Sequence, residues 1–243
     1  MTGAMMMNHS QSPMSWDDPD VHRYVETISI KIPGYHLLYD MTDRLMTAQL
    51  QSGNDPAEVL IVGAGGGQEI ITFGSRHESW LFTGLDPSAR MLDVAQLRVD
   101  RATLGHRVSF IEGTIARLAQ AQRYDAATCM LVLHFVQGLS QKRELLCRIA
   151  EHLKPGAPLF LASLNGNPNS EAFAVQMLAW KSHMLEHGIP LQEWEQFADS
   201  IGHGSDPVPA SMVAELLEEA GFTQVTRYFG SYLIDGWFAV KAE

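Results

Sequence analysis

From residue 55 onward, short and wholly apolar runs alternate with longer stretches in which apolar side chains recur every three or four positions. That alternation predicts strands joined by crossover helices in a parallel sheet. The run 59–62, VLIV, is apolar at every position, as a strand buried on both faces requires, and it ends at Gly63. Runs at 80–85, 108–111, 126–133 and 158–164 supply four more strands. Between them, a helix over 88–102 has Ser88 as its N-cap and Met91, Leu92, Ala95 and Val99 as its buried stripe. A second helix, 140–153, is stopped by Lys154-Pro155-Gly156.

After Leu164 the rhythm breaks. Residues 165–170 are a loop-forming cluster, and 171–202 carry two helical patterns with no strand, so 166–209 is expected to be a helical cap inserted into the core of 55–165. An amphipathic helix over 210–220 ends at Gly221, and runs at 224–229 and 233–240 close the segment 210–243 as an antiparallel pair of strands. Ahead of the core, 16–54 is expected to be a helical preface or lid, with Leu37, Leu38, Met41, Leu45 and Met46 sharing one face. Residues 1–15 are expected to be a disordered leader, lacking the charged start and apolar stretch of a secretory signal.

Composition narrows the function classes. With 243 residues, 46% hydrophobic and 19% charged, the chain can fill one sizeable core. Its 28 acids against 17 bases give a net charge of −11, which argues against a nucleic-acid partner. No run approaches the roughly 18 apolar residues that span a bilayer, so no membrane partner is expected. Cys129 and Cys147 sit in apolar stretches, away from any metal or disulfide spacing, which fits a reducing compartment. A cytoplasmic location follows as the expectation, and a homodimer is a fair one for the assembly.

The chemistry concentrates behind the first strand. Gly63-Ala64-Gly65-Gly66-Gly67 directly follows it and directly precedes a helix, where bare backbone can approach a ligand closely. A dinucleotide fingerprint would want glycine where Gln68 stands, and no lysine follows to make a phosphate-gripping loop. At the end of the second strand Asp86-Pro87 puts an acid on the same sheet edge, placed to accept hydrogen bonds from a ribose diol.

VLIVGAGGGQEI, FTGLDPSARMLDVA, VSFIEGTI, YDAATCMLVLHFV and LKPGAPLFLASL, in this order, resemble the successive motifs of class I S-adenosylmethionine-dependent methyltransferases. The resemblance implies a Rossmann-like α/β fold, a seven-stranded, mostly parallel sheet with an antiparallel last strand, and S-adenosylmethionine as cofactor. It places the cofactor's methionine part over Gly63, Ala64 and Gly65, its ribose at Asp86 beside Pro87, its adenine between Thr114 and Ile115, and Met130 under the methionine end. The PGY of Pro33-Gly34-Tyr35, the IEG of 111–113 and the ending YFGSYLIDGWFAVKA are further similar to bacterial carboxy-S-adenosylmethionine synthases of tRNA wobble-uridine modification. In that branch the PGY tyrosine closes over the cofactor, a role that would fall to Tyr35.

The sequence departs from these families at three places. Ile61 and Thr114 stand where many class I enzymes carry acids, and 182–226 contains no lysine or arginine to hold an additional carboxylate. A desolvated carboxylate needs a cation or several donors, so ordinary S-adenosylmethionine is the expected cofactor.

Methyl transfer from a sulfonium needs in-line positioning and a dry pocket more than a fixed triad. Where the acceptor must lose a proton a base helps, and His134, just past the fourth strand, is the candidate. His36 and Tyr39 in the preface, and Trp180 and Trp194 in the cap, are candidate contacts for a small apolar or aromatic acceptor. His183-Met184-Leu185-Glu186-His187 spells H-x-x-E-H, but without a third ligand no metal is expected. The reading is therefore a methyltransferase of a small molecule. Its rivals are a synthase of the carboxylated cofactor and a non-catalytic protein that keeps the fold.

Overall fold

The computed structural model describes residues 21–50 and 56–243. The expected leader, and positions 16–20 and 51–54 of the expected preface, lie outside the described residues.

Seven strands form one sheet: β1 (Glu58–Val62), β2 (Leu81–Asp86), β3 (Val108–Glu112), β4 (Ala126–Met130), β5 (Pro158–Leu164), β6 (Phe222–Ser231) and β7 (Ile234–Lys241). Their order across the sheet is β3-β2-β1-β4-β5-β7-β6. Strands β1 to β5 pair in parallel, and β7 runs antiparallel to both β5 and β6. The order reverses between β1 and β4, which makes the carboxyl ends of those two strands the crevice where an open sheet of this kind takes its ligands. The pattern of wholly apolar runs is explained by burial on both faces: Val59, Leu60 and Ile61 of β1, and Leu159, Phe160 and Leu161 of β5, have no exposed surface.

Helices α3 (Gln68–Gly74), α4 (Ala89–Arg101), α5 (Gly138–Glu151) and α8 (Ala210–Glu219) cross between strands. Ser88 caps α4 as its sequence promised, its Oγ accepting the Met91 N–H at 3.2 Å. The preface folds as α1 (Val21–Lys31) and α2 (Tyr35–Leu50), and the insertion after β5 as α6 (Glu171–Glu186) and α7 (Leu191–Ser200). On α2 the expected apolar face holds for Leu38 and Met46, both fully buried, but Leu37 points to solvent at 55% exposure.

The expected strand 126–133 is cut short. It ends at Met130, and Leu131 then takes a left-handed backbone, φ 61°, with a 3-10 turn over Leu133–Phe135. The apolar run continues past the strand because Leu131 and Leu133 are still buried, so hydrophobicity alone concealed the turn. No helix among the described residues is long and apolar enough to cross a membrane.

Candidate functional site

Three elements meet at the reversal point. The loop after β1 turns through Gly63, Gly65 and Gly67, all at positive φ (74°, 48° and 75°), which only glycine adopts cheaply. The Gly63 and Ala64 N–H groups both donate to the Leu85 carbonyl, at 2.9 and 2.7 Å, tying the loop to the end of β2. A Cβ on Gly63 would collide with the Val132 side chain beyond β4, so the bare backbone here lets two strand ends approach each other.

Asp86, 8% exposed, locks the other side. Its Oδ2 accepts the Gly65 N–H at 2.8 Å and its Oδ1 accepts the Ser88 N–H at 2.9 Å. Carboxylate oxygens each accept more than one hydrogen bond, so the same group that sets the loop can also take a hydroxyl pair. Pro87 lies exposed on the rim. On the adjoining strand end, the Gly113 N–H donates to the Asp86 carbonyl at 2.8 Å. Thr114 beyond it is exposed and Ile115 is buried. Met130 is buried at the end of β4, directly before the left-handed Leu131. A non-glycine residue in that conformation is strained, and it sits where β4 turns away at the sheet edge.

Two residues with no obvious sequence signal complete the loop. Arg98 of α4 donates to the Gly66 carbonyl and, at 2.8 Å, to Gln68 Oε1, bracing the loop from outside. Glu69, in the first turn of α3, is 3% exposed, and its Oε1 has no hydrogen-bond partner among the described residues. Burial pushes its carboxyl up to about 8, with nearby Asp86 adding to the rise and Arg98 opposing it.

The preface covers this edge. Val25 of α1 lies against Gly66 and packs with Met91 and Val94. Tyr35 and Tyr39 of α2 are buried in edge-to-face contact, centroids 4.8 Å apart, with the exposed His36 ring edge-on to Tyr35 at 5.6 Å. Burial raises the Tyr35 hydroxyl pKa well above its ordinary value, so it stays protonated.

His134 does not fit the role of base. Its Nδ1 accepts the Leu164 N–H at 3.1 Å, so the ring proton belongs on Nε2 and no lone pair is left free. Burial, and then the Lys142 charge, push its pKa down to about 3. The ring is a structural tie between the β4 turn and the end of β5. Trp180 and Trp194 are likewise structural, at 3% and 6% exposure. Trp180 donates from Nε1 to the Lys31 carbonyl at 2.6 Å and, like Trp194, packs on Phe197. Their stripe is the core of the cap rather than an open wall. The H-x-x-E-H histidines are satisfied too: His183 Nε2 bonds the Ile30 carbonyl at 3.1 Å and His187 Nδ1 the His183 carbonyl at 2.8 Å. Among the described residues no group of three metal-ligating side chains assembles.

A hollow lined by Glu58, Thr83, Arg107 and Gln122 lies at the amino ends of the strands, opposite the glycine loop, and is no part of this site.

Comparison with known proteins agrees with this geometry. Residues 59–156 match the family described as a methyltransferase domain. Among curated relatives, a ubiquinone biosynthesis O-methyltransferase of Alkalilimnicola ehrlichii is 30% identical over 62% of this chain and 58% of its own. The Serratia proteamaculans protein of the same name is 38% identical over 54% of this chain and 52% of its own. The chain thus spans somewhat over half the length of the curated relatives it matches. Among solved structures, magnesium protoporphyrin IX methyltransferase of Synechocystis PCC 6803 with bound SAH superposes with a TM-score of 0.65 at 16% identity, over 92% of this chain and 94% of that one. Residues 59–156 thus resemble a methyltransferase domain, and the seven-stranded sheet that carries them is a Rossmann-like α/β fold shared with that solved structure.

Proposed function

We propose that the protein is an S-adenosylmethionine-dependent methyltransferase of a small apolar or aromatic acceptor. The observation that carries this reading is the junction of the Gly63–Gly67 loop with Asp86 at the point where strand order reverses. The site suits the cofactor: a bare-backbone cradle at Gly63 that a Cβ would close, a carboxylate beside it for a diol, and a buried carboxyl oxygen with no partner in Glu69. When bound, S-adenosylmethionine supplies an already activated methyl group.

The chain's own residues then have positioning work. Asp86 takes the ribose hydroxyls, Gly63, Ala64 and Gly65 lie along the methionine part, Thr114 and Ile115 frame the adenine, and Met130 bounds the reactive end. Tyr35, with α1 and α2, covers the edge and keeps water out. His36, on the exposed face of α2, is left as the acceptor contact at the mouth, with Tyr39 buried behind Tyr35. An acceptor proton leaves to solvent or to a group the acceptor brings, since His134 has no free lone pair. The names of the curated relatives favour an oxygen acceptor.

Isothermal titration with S-adenosylmethionine and with S-adenosylhomocysteine tests the reading. Micromolar binding of both supports it. Absence of binding to either leaves the fold as that of a non-catalytic protein. Release on denaturation of a bound molecule heavier than S-adenosylmethionine by one carboxyl group would favour the synthase instead.

A further inference from the structure

We infer that Glu69 is the acceptor for the cofactor's α-ammonium group, a role that depends on the S-adenosylmethionine reading above. The side chain is held in the first turn of α3, directly behind the glycine loop, and is almost completely buried. The charged and titratable groups within its electrostatic reach come from each wall of the crevice: Tyr35 of α2, Asp86 of β2, Arg98 of α4 and Cys129 of β4.

None of these satisfies it. Arg98 is committed to the Gly66 carbonyl and Gln68. Asp86 already holds the Gly65 and Ser88 N–H groups. Tyr35 and Cys129, kept protonated and neutral by burial with the thiol pushed up to about 12, carry no charge to offset a carboxylate, and neither hydrogen-bonds Glu69 Oε1. One Glu69 oxygen is left open in a dry place, which costs stability unless something binds there. What fits is a compact cation with several N–H donors, able to satisfy the oxygen and compensate its charge together. With the ribose at Asp86 and the methionine part over the glycine loop, the α-ammonium is the cofactor group of that chemistry.

The carboxyl is pushed up to about 8 without a cation, so at neutral pH it holds a proton that a bound ammonium displaces to solvent. Cofactor uptake therefore releases a proton at pH 7, and affinity rises with pH until the free carboxyl is ionised.

The test compares S-adenosylhomocysteine with 5′-methylthioadenosine, which lacks the amino-acid part, on the wild type and on Glu69→Gln. Affinities are measured by calorimetry at about pH 9, and proton release at about pH 7 in two buffers of different ionisation enthalpy. The inference expects Glu69→Gln to bind S-adenosylhomocysteine about 10- to 100-fold more weakly, to bind methylthioadenosine as the wild type does, and to lose the proton release. Retained methylthioadenosine binding shows that the variant is folded. Equal affinity of both proteins for S-adenosylhomocysteine overturns the assignment alone, and so does loss of both ligands by the variant, which marks a structural role. Failure of the wild type to bind either nucleoside removes the cofactor reading and this one with it.

Discussion

The glycine loop and the helical cap solve opposite problems. Around the loop, backbone stands bare at Gly63, a non-glycine residue is held left-handed at Leu131, and a buried carboxyl oxygen at Glu69 lacks a partner. In the cap, Trp180, His183 and His187 each place a ring nitrogen on a backbone carbonyl. Trp180 caps a carbonyl of α1, His183 another, and Trp194 closes on Phe197. At the loop an open carboxyl oxygen and a strained backbone stand together beside the bare glycines, whereas the cap is held by aromatic packing and side-chain ties to α1. The tryptophans that suggested an acceptor pocket are the cap's own core.

The contrast can be broken by substitution. Trp180→Ala should cost about 3–5 kcal/mol of unfolding free energy in a urea titration, the range for emptying a buried aromatic site. A loss below about 1 kcal/mol would return Trp180 to the list of acceptor contacts. Gly63→Ala should cost about 2–4 kcal/mol, combining a positive φ with a collision at Val132. Adding Val132→Ala should recover part of that loss, leaving the backbone share. Asp86→Asn should weaken S-adenosylhomocysteine binding by about 1–3 kcal/mol in calorimetry and cost about 1–2 kcal/mol of stability, since the amide can accept from only one of the Gly65 and Ser88 N–H groups.

An effect seen only on acidification separates a structural histidine from a base. His134 is held neutral by burial, its pKa depressed from 6.5 to about 3. Its contribution to stability is therefore complete above about pH 6.5 and is lost as pH falls toward 3, at about 1.4 kcal/mol per pH unit for one proton. His134→Gln should flatten that acid limb in denaturation curves taken between about pH 6 and 4. If it instead removed the acid limb from the pH profile of methyl transfer while the acid limb of stability stayed, the histidine would be a base.

Much of this architecture is legible in the chain. The doubly buried strands announce themselves as unbroken apolar runs, Ser88 marks its helix, and the glycine cluster and Asp86 meet where the spacing put them, at one edge of the sheet. What escaped does so for physical reasons. The end of β4 is invisible because Leu131 and Leu133 stay buried after the backbone leaves the sheet. Arg98 reads as a solvent residue of an amphipathic helix, and only the packing of α4 against the loop, 32 positions away in sequence from Gly66, turns it inward. Glu69 looks like a favourable acid in a first helical turn, and nothing local says that α2 and the loop bury it. Lys142 is the sharpest case. A lysine with no exposed side-chain surface, it donates to the Leu133 and Val136 carbonyls and pairs with Asp206 at 3.2 Å.

At the foot of the cap, Asn165 and Val208 form a parallel bridge, the Gly166 N–H donates to the Val208 carbonyl at 2.9 Å, and Asp206 accepts from Gly138 at 2.8 Å. Entry and exit of the insertion are stitched to each other just beyond the end of β5. The 41 residues between them, 167–207, thus form a closed excursion whose loop-closure entropy is settled at its neck. Such an excursion can lengthen or shorten while the strand ends below it keep their register.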